Sequence, residues 1–404
     1  MAEFVYKVRD QNGRIFHGVS EAVDIDAMKK VLRDGGWFTL DVGLYKKNKF
    51  GLFNQGVKLD SLIMFTHELT SMLESGIPIL KAMDILWKQV DSPRFQIVIS
   101  RMKNKLSEGA SINEAFNEFP EVFPPLYRAL LGVAEFGADI SKILRKLLQY
   151  LINQKSFTEK LQKAIAYPMV VVSFAILVVL VMLMWVIPTF QTVFKKINVE
   201  LPLFTQIVIN ISSAFRTVYF WLIAAALIGG SIYFYRRFVK TTEGRLAIDT
   251  FKLKMPIFGK IFYIAAISRL VRSLSLLIGA GLPLTESLAV ARATALNVKL
   301  SNALETVQRK IVQGNPLGVS IGDTGVFPAF LSEMITVGEA SGTLPEMLER
   351  MAVHFEEEFD SQVNRFLTLL EPLLIIFVGG LVLLIIMSIY LPIFKLWGGF
   401  NSRG

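Results

Sequence analysis

Two long apolar segments constrain this chain more than any other feature. Residues 168–188 and 372–392 each run for 21 residues without a charged side chain, and each begins and ends with proline. A bilayer core about 30 Å thick needs about 20 apolar residues in helical conformation, so each segment is predicted to cross a membrane. The two segments lie 204 positions apart, which indicates that a longer unit has been duplicated.

The duplication extends upstream into sequence with helical periodicity. The apolar stripe of residues 65–76 has the spacing of one helix face and matches the stripe of residues 270–281; each ends in a Gly-x-Pro turn. Further along, VAEFGADI at residues 133–140 aligns with VGEASGTL at residues 337–344. We therefore predict two copies of a helical-bundle domain of about a hundred residues, each followed by a span.

Composition agrees with a membrane protein that has large water-facing parts. The chain has 404 residues, of which 52% are hydrophobic and 19% charged. It contains no cysteine, which excludes disulfides and thiolate chemistry. The net charge of +9 comes from lysines and arginines that cluster beside the apolar segments, which favours a role in membrane topology over nucleic-acid binding.

The first 44 residues predict a small ββαβ module. Two alternating segments flank Asn12-Gly13, a pair typical of hairpin turns, and Asp24 is placed to cap the helix that follows. The start lacks an apolar signal segment, so we expect the amino terminus to stay in the cytoplasm. Residues 45–58 are a basic linker; lipid contact through Phe50 and Phe53 is the alternative.

A third apolar segment, residues 218–235, separates the two copies and resembles neither repeated span. Small residues four positions apart would allow close contact with another helix; they are Ala225 with Gly229 and Ala226 with Gly230. Basic residues precede the first span and follow this one, so positive charge predicts that both copies face the cytoplasm. The middle span returns the chain so that the second copy inserts in the same direction as the first.

The predicted fold is therefore a mainly α membrane protein with two repeated cytoplasmic helical-bundle domains, three transmembrane helices and a small N-terminal α+β module. The predicted segments are the module 1–44, the linker 45–58, helical domain 59–167, span 168–188, periplasmic loop 189–217, span 218–235, cytoplasmic linker 236–262, helical domain 263–371, span 372–392 and periplasmic tail 393–404.

The sequence shows no motif of a recognised enzyme. It has no phosphate-binding G-x-x-x-x-G-K-[ST] sequence and no H-E-x-x-H, its three histidines are scattered, and no nucleophile has a recognisable setting. The spans hold no acid or base at mid-depth, which argues against an ion relay. We therefore expect neither catalysis nor a required cofactor.

Two acidic features leave alternatives open. Glu135 and Asp139 could bind Ca²⁺ together with ligands from a partner; the better interpretation is that Asp139 caps a helix and Glu135 pairs with a basic residue. The run Glu356-Glu357-Glu358 is either a solvated face or a docking patch for a basic partner.

These motifs together resemble one family. The amino-terminal FVYKVRDQNGRIFHGVSEA, the paired turns LESGIPI and IGAGLPL, VGEASGTL with its degenerate copy VAEFGADI, and the three-span layout are similar to the inner-membrane platform proteins of type IV pilus and type II secretion machines. The resemblance covers essentially the whole chain. The first copy departs from the pattern at residues 136–138, where the second has Ala340-Ser341-Gly342.

The resemblance implies a function and its partners. It implies a non-enzymatic, multi-pass platform in the bacterial inner membrane that contacts a cytoplasmic hexameric assembly ATPase, other inner-membrane assembly proteins and the transmembrane helices of pilins or pseudopilins. Two similar domains also favour a homo-oligomer, and no nucleic acid is expected. The candidate interface residues are Gly76, Pro78, Gly281, Pro283, Glu339, Gly342, Glu356, Glu357 and Glu358. The alternative is a small polytopic transporter or channel component.

Overall fold

The computed structural model describes residues 2–45, 57–135, 137–196, 203–256, 258–295 and 297–401. The chain divides into two units. The bundle unit comprises Met1–Phe157 and Ile264–Glu356, and the span unit comprises Thr158–Tyr263 and Glu357–Gly404. Both copies of the repeat therefore contribute to a single bundle unit. Phe50 and Phe53 of the predicted linker lie outside the described residues.

The amino-terminal module has the predicted strand and helix order. It consists of β1 (Ala2–Arg9), β2 (Ile15–Ala22), α1 (Ile25–Asp34) and β3 (Phe38–Leu44). The sheet order is β2-β1-β3, and β1 pairs antiparallel with both neighbours. Gly13 takes a positive φ of 83° in the hairpin turn, and the Asp24 carboxylate accepts the Ala27 N–H at 2.7 Å. The predicted turn and helix cap are both confirmed.

The helices of the two copies correspond one to one. The first copy contains α2 (Leu59–Glu74), α3 (Ile79–Gln89), α4 (Pro93–Ser107), α5 (Ile112–Asn117), α6 (Pro125–Glu135) and α7 (Ile140–Val181). The chain between the copies contains a π-helical turn (Met182–Val186), α8 (Ile187–Lys196), α9 (Leu203–Arg216), α10 (Val218–Val239) and α11 (Thr242–Lys254). The second copy contains α12 (Phe258–Ile278), α13 (Leu284–Thr294), α14 (Val298–Val312), α15 (Leu317–Gly322), α16 (Ala329–Ser341) and α17 (Leu344–Asn401).

The module docks on helix α4 through buried polar groups. Gln96 Oε1 accepts the His17 N–H at 2.9 Å, and Ser100 Oγ donates to the Val19 carbonyl oxygen at 3.2 Å. Asn104 Nδ2 donates to the same carbonyl oxygen at 2.7 Å. Because these contacts occupy backbone groups of strand β2, they fix the module to one face of α4.

The core of the first copy is aromatic. The fully buried rings are Phe65, Phe95, Phe116, Phe123 and Tyr127. The rings of Phe116 and Phe123 lie 4.6 Å apart, and the Tyr127 hydroxyl lies 3.1 Å from Thr66 Oγ1. Burial raises the pKa of Tyr127, so this phenol stays neutral. Leu276 and Leu277 of the second copy belong to the same core, which joins the two copies.

Helix α7 continues through the proline that was predicted to begin the first span. Pro168 lies inside α7, and the helix then passes through the π-helical turn into α8. Pro372 likewise lies inside the 58-residue helix α17. The helical path therefore extends beyond the apolar residues at both ends of each segment.

Two segments predicted as connections are largely helical. The loop predicted for residues 189–217 contains α8 and α9, and the linker predicted for residues 236–262 contains α11. Helix α9 is ordered by one buried face: Ser212 Oγ donates to the Leu183 carbonyl oxygen of the π-helical turn, and Thr205 Oγ1 donates to the Ser388 carbonyl oxygen at 3.2 Å. A π-helical turn displaces backbone groups from the α-helical pattern, and a neighbouring hydroxyl compensates here.

Four helices in the described residues are long and apolar enough to cross a membrane. They are Ile140–Val193, Val218–Val239, Phe258–Ile278 and Leu344–Ser388. The third differs from the others because 61% of its apolar window is buried inside the protein, compared with 17% or less for the other three. Its apolar side chains are thus largely covered by protein.

We expect Gln96→Leu to loosen the docked module. Gln96 is 4% exposed and also donates from Nε2 to the Val90 carbonyl oxygen at 2.7 Å, so leucine removes this bond and the partner of the His17 N–H, both partly buried. The expected loss in the free energy of unfolding is roughly 1–3 kcal/mol. Tryptophan fluorescence reports it, because Trp37 and Trp87 pack 5.7 Å apart at this junction. The matched control Gln149→Leu, at an exposed glutamine, should cost less than about 0.5 kcal/mol. Equal losses in the two variants would contradict the docking role of Gln96.

Candidate functional site

The two Gly-x-Pro turns have the same backbone conformation but different surroundings. Gly76 and Gly281 have positive φ angles of 78° and 95°. The second turn, which ends at Pro283, lines a groove of about 680 Å³ with Gly132 of helix α6. The first turn, which ends at Pro78, is exposed at both its glycine and its proline. The glycine and proline of the second turn are also exposed, so the two turns differ in the neighbouring helix α6 and not in their own exposure.

Gly342 ends helix α16 in the left-handed conformation. Its φ is 70°, and the next amide, of Thr343, donates to the Gly338 carbonyl oxygen at 2.9 Å. The corresponding positive φ in the first copy belongs to Gly137, with φ 105°, although the alignment places Ala138 opposite Gly342. The first copy therefore keeps a left-handed glycine one position earlier in the alignment.

Glu339 holds the start of helix α15. Its carboxylate accepts the N–H groups of Leu317 and Gly318 at 3.0 and 3.3 Å. The residue before them, Pro316, has no side-chain oxygen to cap the helix, so a carboxylate from the next helix takes this place. We predicted Glu339 as an interface residue, and the structure gives it a contact within the chain.

The first copy caps the equivalent helix with local residues. Ser111 Oγ accepts the Glu114 N–H, and Glu114 Oε2 accepts the Ser111 N–H, both at 3.1 Å, which forms a capping box. Thr343 and Glu346 have the same S/T-x-x-E spacing but a different arrangement: the Thr343 hydroxyl lies 2.7 Å from the Ser341 hydroxyl. The aligned helix ends are thus satisfied by different residues in the two copies.

Asp139 caps helix α7, as predicted. Its Oδ1 accepts the N–H groups of Ser141 at 3.0 Å and Lys142 at 3.4 Å, and Lys142 Nζ lies 3.5 Å from Oδ2. A small desolvation, which alone would raise the pKa of Asp139, is outweighed by these amides and by the lysine charge, which lower it. Glu135 is exposed. Among the described residues no three histidine or acidic side chains gather as metal ligands, and Ca²⁺ binding by Glu135 and Asp139 stays a prediction.

Glu356 belongs to a network inside the bundle unit. Arg272 of helix α12 donates from Nε and Nη2 to the two Glu356 oxygens, both at 2.8 Å, and its Nη1 pairs with Glu349. Ser275 Oγ donates to Glu349 at 2.8 Å, and Asn153 Nδ2 donates to Glu356 at 3.3 Å. These residues line a groove of about 840 Å³. Asn153 comes from the first copy and Arg272 from the second, so the network joins the copies.

Sequence reasoning missed Arg272, although a signal was present. Arg272 lies in the otherwise mainly apolar helix α12, a costly place for a cation without a carboxylate partner. Glu349 and Glu356 are seven residues apart and share one face of α17. An arginine in a mainly apolar helix and two acids at this spacing would together have predicted an ion pair.

The rest of the acidic run differs from Glu356. Glu357 is exposed and Glu358 is half-buried; both belong to the span unit. Nearby in that unit, Lys160 Nζ contacts both oxygens of Asp360 at 2.7 Å. Of the three predicted docking glutamates, Glu356 is the one already engaged by an arginine.

The small residues of helix α10 face outward. Helix α10 has no buried residue, and Ala225, Ala226, Gly229 and Gly230 are all exposed. A Cβ added at Gly229 or Gly230 would meet no heavy atom within 4 Å in the described part of the chain. Their predicted helix packing therefore stays a prediction about another molecule.

We expect Arg272→Met to destabilise the bundle unit by roughly 2–3 kcal/mol, because it leaves Glu356 half-buried without its cation. The double variant Arg272→Met/Glu356→Leu should recover part of this loss, since an apolar pair can replace a buried ion pair. Arg292→Met is the matched control: its pair with Glu305, at 3.2 Å, is exposed, and its loss should be below about 1 kcal/mol. Chemical denaturation of the purified protein in detergent measures each value. No recovery in the double variant would show that Arg272 acts mainly through packing.

Comparison with known proteins identifies the repeated unit. The family described as type II secretion system (T2SS), protein F matches residues 65–188 and again residues 270–392. The chain is 32% identical over 406 residues to the type IV pilus assembly protein PilC of Thermus thermophilus, covering 98% of this chain and 99% of that protein. It is 30% identical over 404 residues to type II secretion system protein F of Pseudomonas aeruginosa, with the same coverage of both chains.

The two family matches begin in helices α2 and α12 and end in the apolar parts of the long helices. They therefore coincide with the duplication found from spacing alone, and the relatives extend the similarity over nearly the whole chain. The chain belongs to the type II secretion system protein F family, whose curated members here include type IV pilus assembly proteins.

Proposed function

We propose that this protein is the inner-membrane platform of a type IV pilus or type II secretion machine. It would couple a cytoplasmic assembly ATPase to the extraction of pilin or pseudopilin subunits from the membrane, without catalysing a reaction itself. The observation that carries the proposal is that the family's repeated unit occurs twice, each time running into an apolar helix. The names of the relatives, which refer to pilus assembly and to type II secretion, support it.

The proposed topology has three spans, with both copies in the cytoplasm and the carboxyl tail in the periplasm. Helices α7, α10 and α17 would span the membrane, since their apolar windows are 17% buried or less. Helix α12 would be a packing helix of the bundle, because it contributes Leu276 and Leu277 to the core. The clusters of lysine and arginine beside the first two spans support this orientation.

Continuous helices would carry motion from the ATPase to the membrane. Helix α17 has 58 residues; its amino-terminal turns belong to the bundle unit, and its apolar residues follow in the same helix. Asn153 of α7 and Glu356 of α17 are hydrogen-bonded within the bundle unit. A push on the bundle unit would therefore reach both repeated spans together.

The exposed face of α10 would be free for a pilin helix, and the protein would act as a homo-oligomer.

The topology can be tested by cysteine labelling, because the chain has no cysteine of its own. Single variants Val23→Cys, Val312→Cys and Leu203→Cys place a thiol at positions that are at least 74% exposed. With a membrane-impermeant maleimide, we expect Val23→Cys and Val312→Cys to react only in inverted vesicles and Leu203→Cys to react in spheroplasts. Reaction of Val23→Cys and Val312→Cys from opposite sides would refute the proposed parallel repeat.

The acidic run can be tested separately from the internal network. We expect Glu357→Arg/Glu358→Arg to abolish filament assembly or secretion and to reduce co-purification of the assembly ATPase by at least about ten-fold, because the charge that attracts a basic partner is reversed. Membrane insertion and the unfolding curve should not change. Glu121→Arg, at an exposed glutamate of the first copy, is the control. Normal assembly in the double variant would contradict ATPase docking at Glu357 and Glu358.

A further inference from the structure

The two copies meet through different faces of the repeated unit. Helix α6 of the first copy packs against α13 of the second. Ala129 and Val133 of α6, with Leu282 and Val290 around α13, are half-buried there against the shared core. In the repeat, α13 corresponds to α3 and α6 corresponds to α16. The contact is therefore head to tail, since one face of the unit meets a different face of its copy.

A head-to-tail contact leaves one face of each kind without a partner. If a two-fold axis related the copies, α3 would pack on α16 as α13 packs on α6. The described part of the chain contains no α3–α16 contact of comparable extent. Val337, which corresponds to the half-buried Val133, is 54% exposed. At the other open face, Pro78 and Lys81 of the α3 turn and helix are exposed, as are the corresponding residues of the docked α13. The difference in exposure between the two copies therefore lies on α16.

The two open faces have complementary chemistry. Lys81 corresponds to Glu286, and Glu333 corresponds to Ala129; Glu286 and Ala129 line one groove in the existing contact. If the contact is repeated between the open faces, Lys81 comes close to Glu333. Both are exposed, and neither forms an ion pair within the described residues. The half-buried Ile85, which corresponds to Val290, would then contact Val337.

We propose that helix α3 of one copy of this chain docks on helix α16 of a second copy, repeating between molecules the contact that α13 makes with α6 within one. This contact is the surface through which the homo-oligomer of the proposed function would form. It rests on the proposed function only for the orientation of the copies in the membrane. Copies inserted in the same direction in one bilayer are related by rotation about the membrane normal. A head-to-tail contact about that axis continues from copy to copy and forms a ring when the rotation closes.

Cross-linking between two tagged chains tests the contact directly. One chain carries Lys81→Cys and the other, with a different tag, carries Glu333→Cys; the native chain has no cysteine. A short bis-maleimide is added to membranes that contain both. We expect a doubly tagged product in at least about ten-fold excess over the control pair of Lys81→Cys with Val312→Cys, because docking raises the local thiol concentration. The control cysteine lies on α14, 74% exposed in the native chain.

Three results would overturn the proposal. The first is a yield no higher than that of the control pair. The second is a predominant product from two Lys81→Cys chains or two Glu333→Cys chains, which would indicate a two-fold contact. The third is a product of Glu333→Cys with a different protein and none with a second chain, which would assign this face to another partner.

Charge exchange tests the same contact without relying on cysteine geometry. A second pair, Val337→Cys with Ile85→Cys, reports docking while the charges are varied. Lys81→Glu should lower its cross-linking about five-fold, and Lys81→Glu/Glu333→Lys should restore it. Failure to restore would contradict an ion pair at this position. Assembly assays on the same strains separate the existence of the contact from its use. If Lys81→Glu lowers cross-linking while filament assembly or secretion stays normal, the contact exists but the machine does not require it.

Discussion

The bundle unit depends on the packing of helix α12 into the hydrophobic core of the first copy. Leu276 and Leu277 lie in the same cluster as Phe65, although more than two hundred residues separate them from it in the chain. Each buried leucine contributes roughly 1.5–3 kcal/mol of hydrophobic stabilisation. The cost of closing such a long loop grows only with the logarithm of its length, so the shared core can offset it. The two copies therefore form one structural unit.

The two copies share a backbone arrangement, but different side chains form hydrogen bonds with the backbone groups at the helix ends. The amino terminus of α5 is closed by Ser111 and Glu114, and that of α15 by Glu339. An ion pair joins the first and last helices of each copy, but the arginine and its acidic partner exchange helices between the copies. In the first copy Arg145 of α7 pairs with Glu74 of α2, with Nε to Oε1 at 3.0 Å; in the second, Arg272 of α12 pairs with acids of α17. Backbone groups must be paired wherever they are buried, but many different side chains can pair with them.

The sequence predicted those features that depend on local spacing. Apolar periodicity and the Gly-x-Pro turns gave the repeat, and Asn12-Gly13 and Asp24 gave the module's turn and cap. It failed where contacts at long range decide. The helical structure within the predicted loop 189–217 involves such contacts, since Ser212 packs on the π-helical turn. The pairing of Arg272 with Glu356 required two distant parts of the chain to meet, which periodicity alone does not show.

The arrangement of the copies also explains why corresponding positions differ in charge. If the two copies met across a two-fold axis, corresponding faces would both be covered and would have the same neighbours. In a head-to-tail pair, one α6-type face is covered and the other is exposed. The covered α6 face has Ala129 where the exposed α16 face has Glu333. The docked α13 has Glu286 where α3, which has no such neighbour in the described residues, has Lys81. A face that met only water would need a charge but no particular sign. Opposite signs on the two open faces are what continued head-to-tail docking requires.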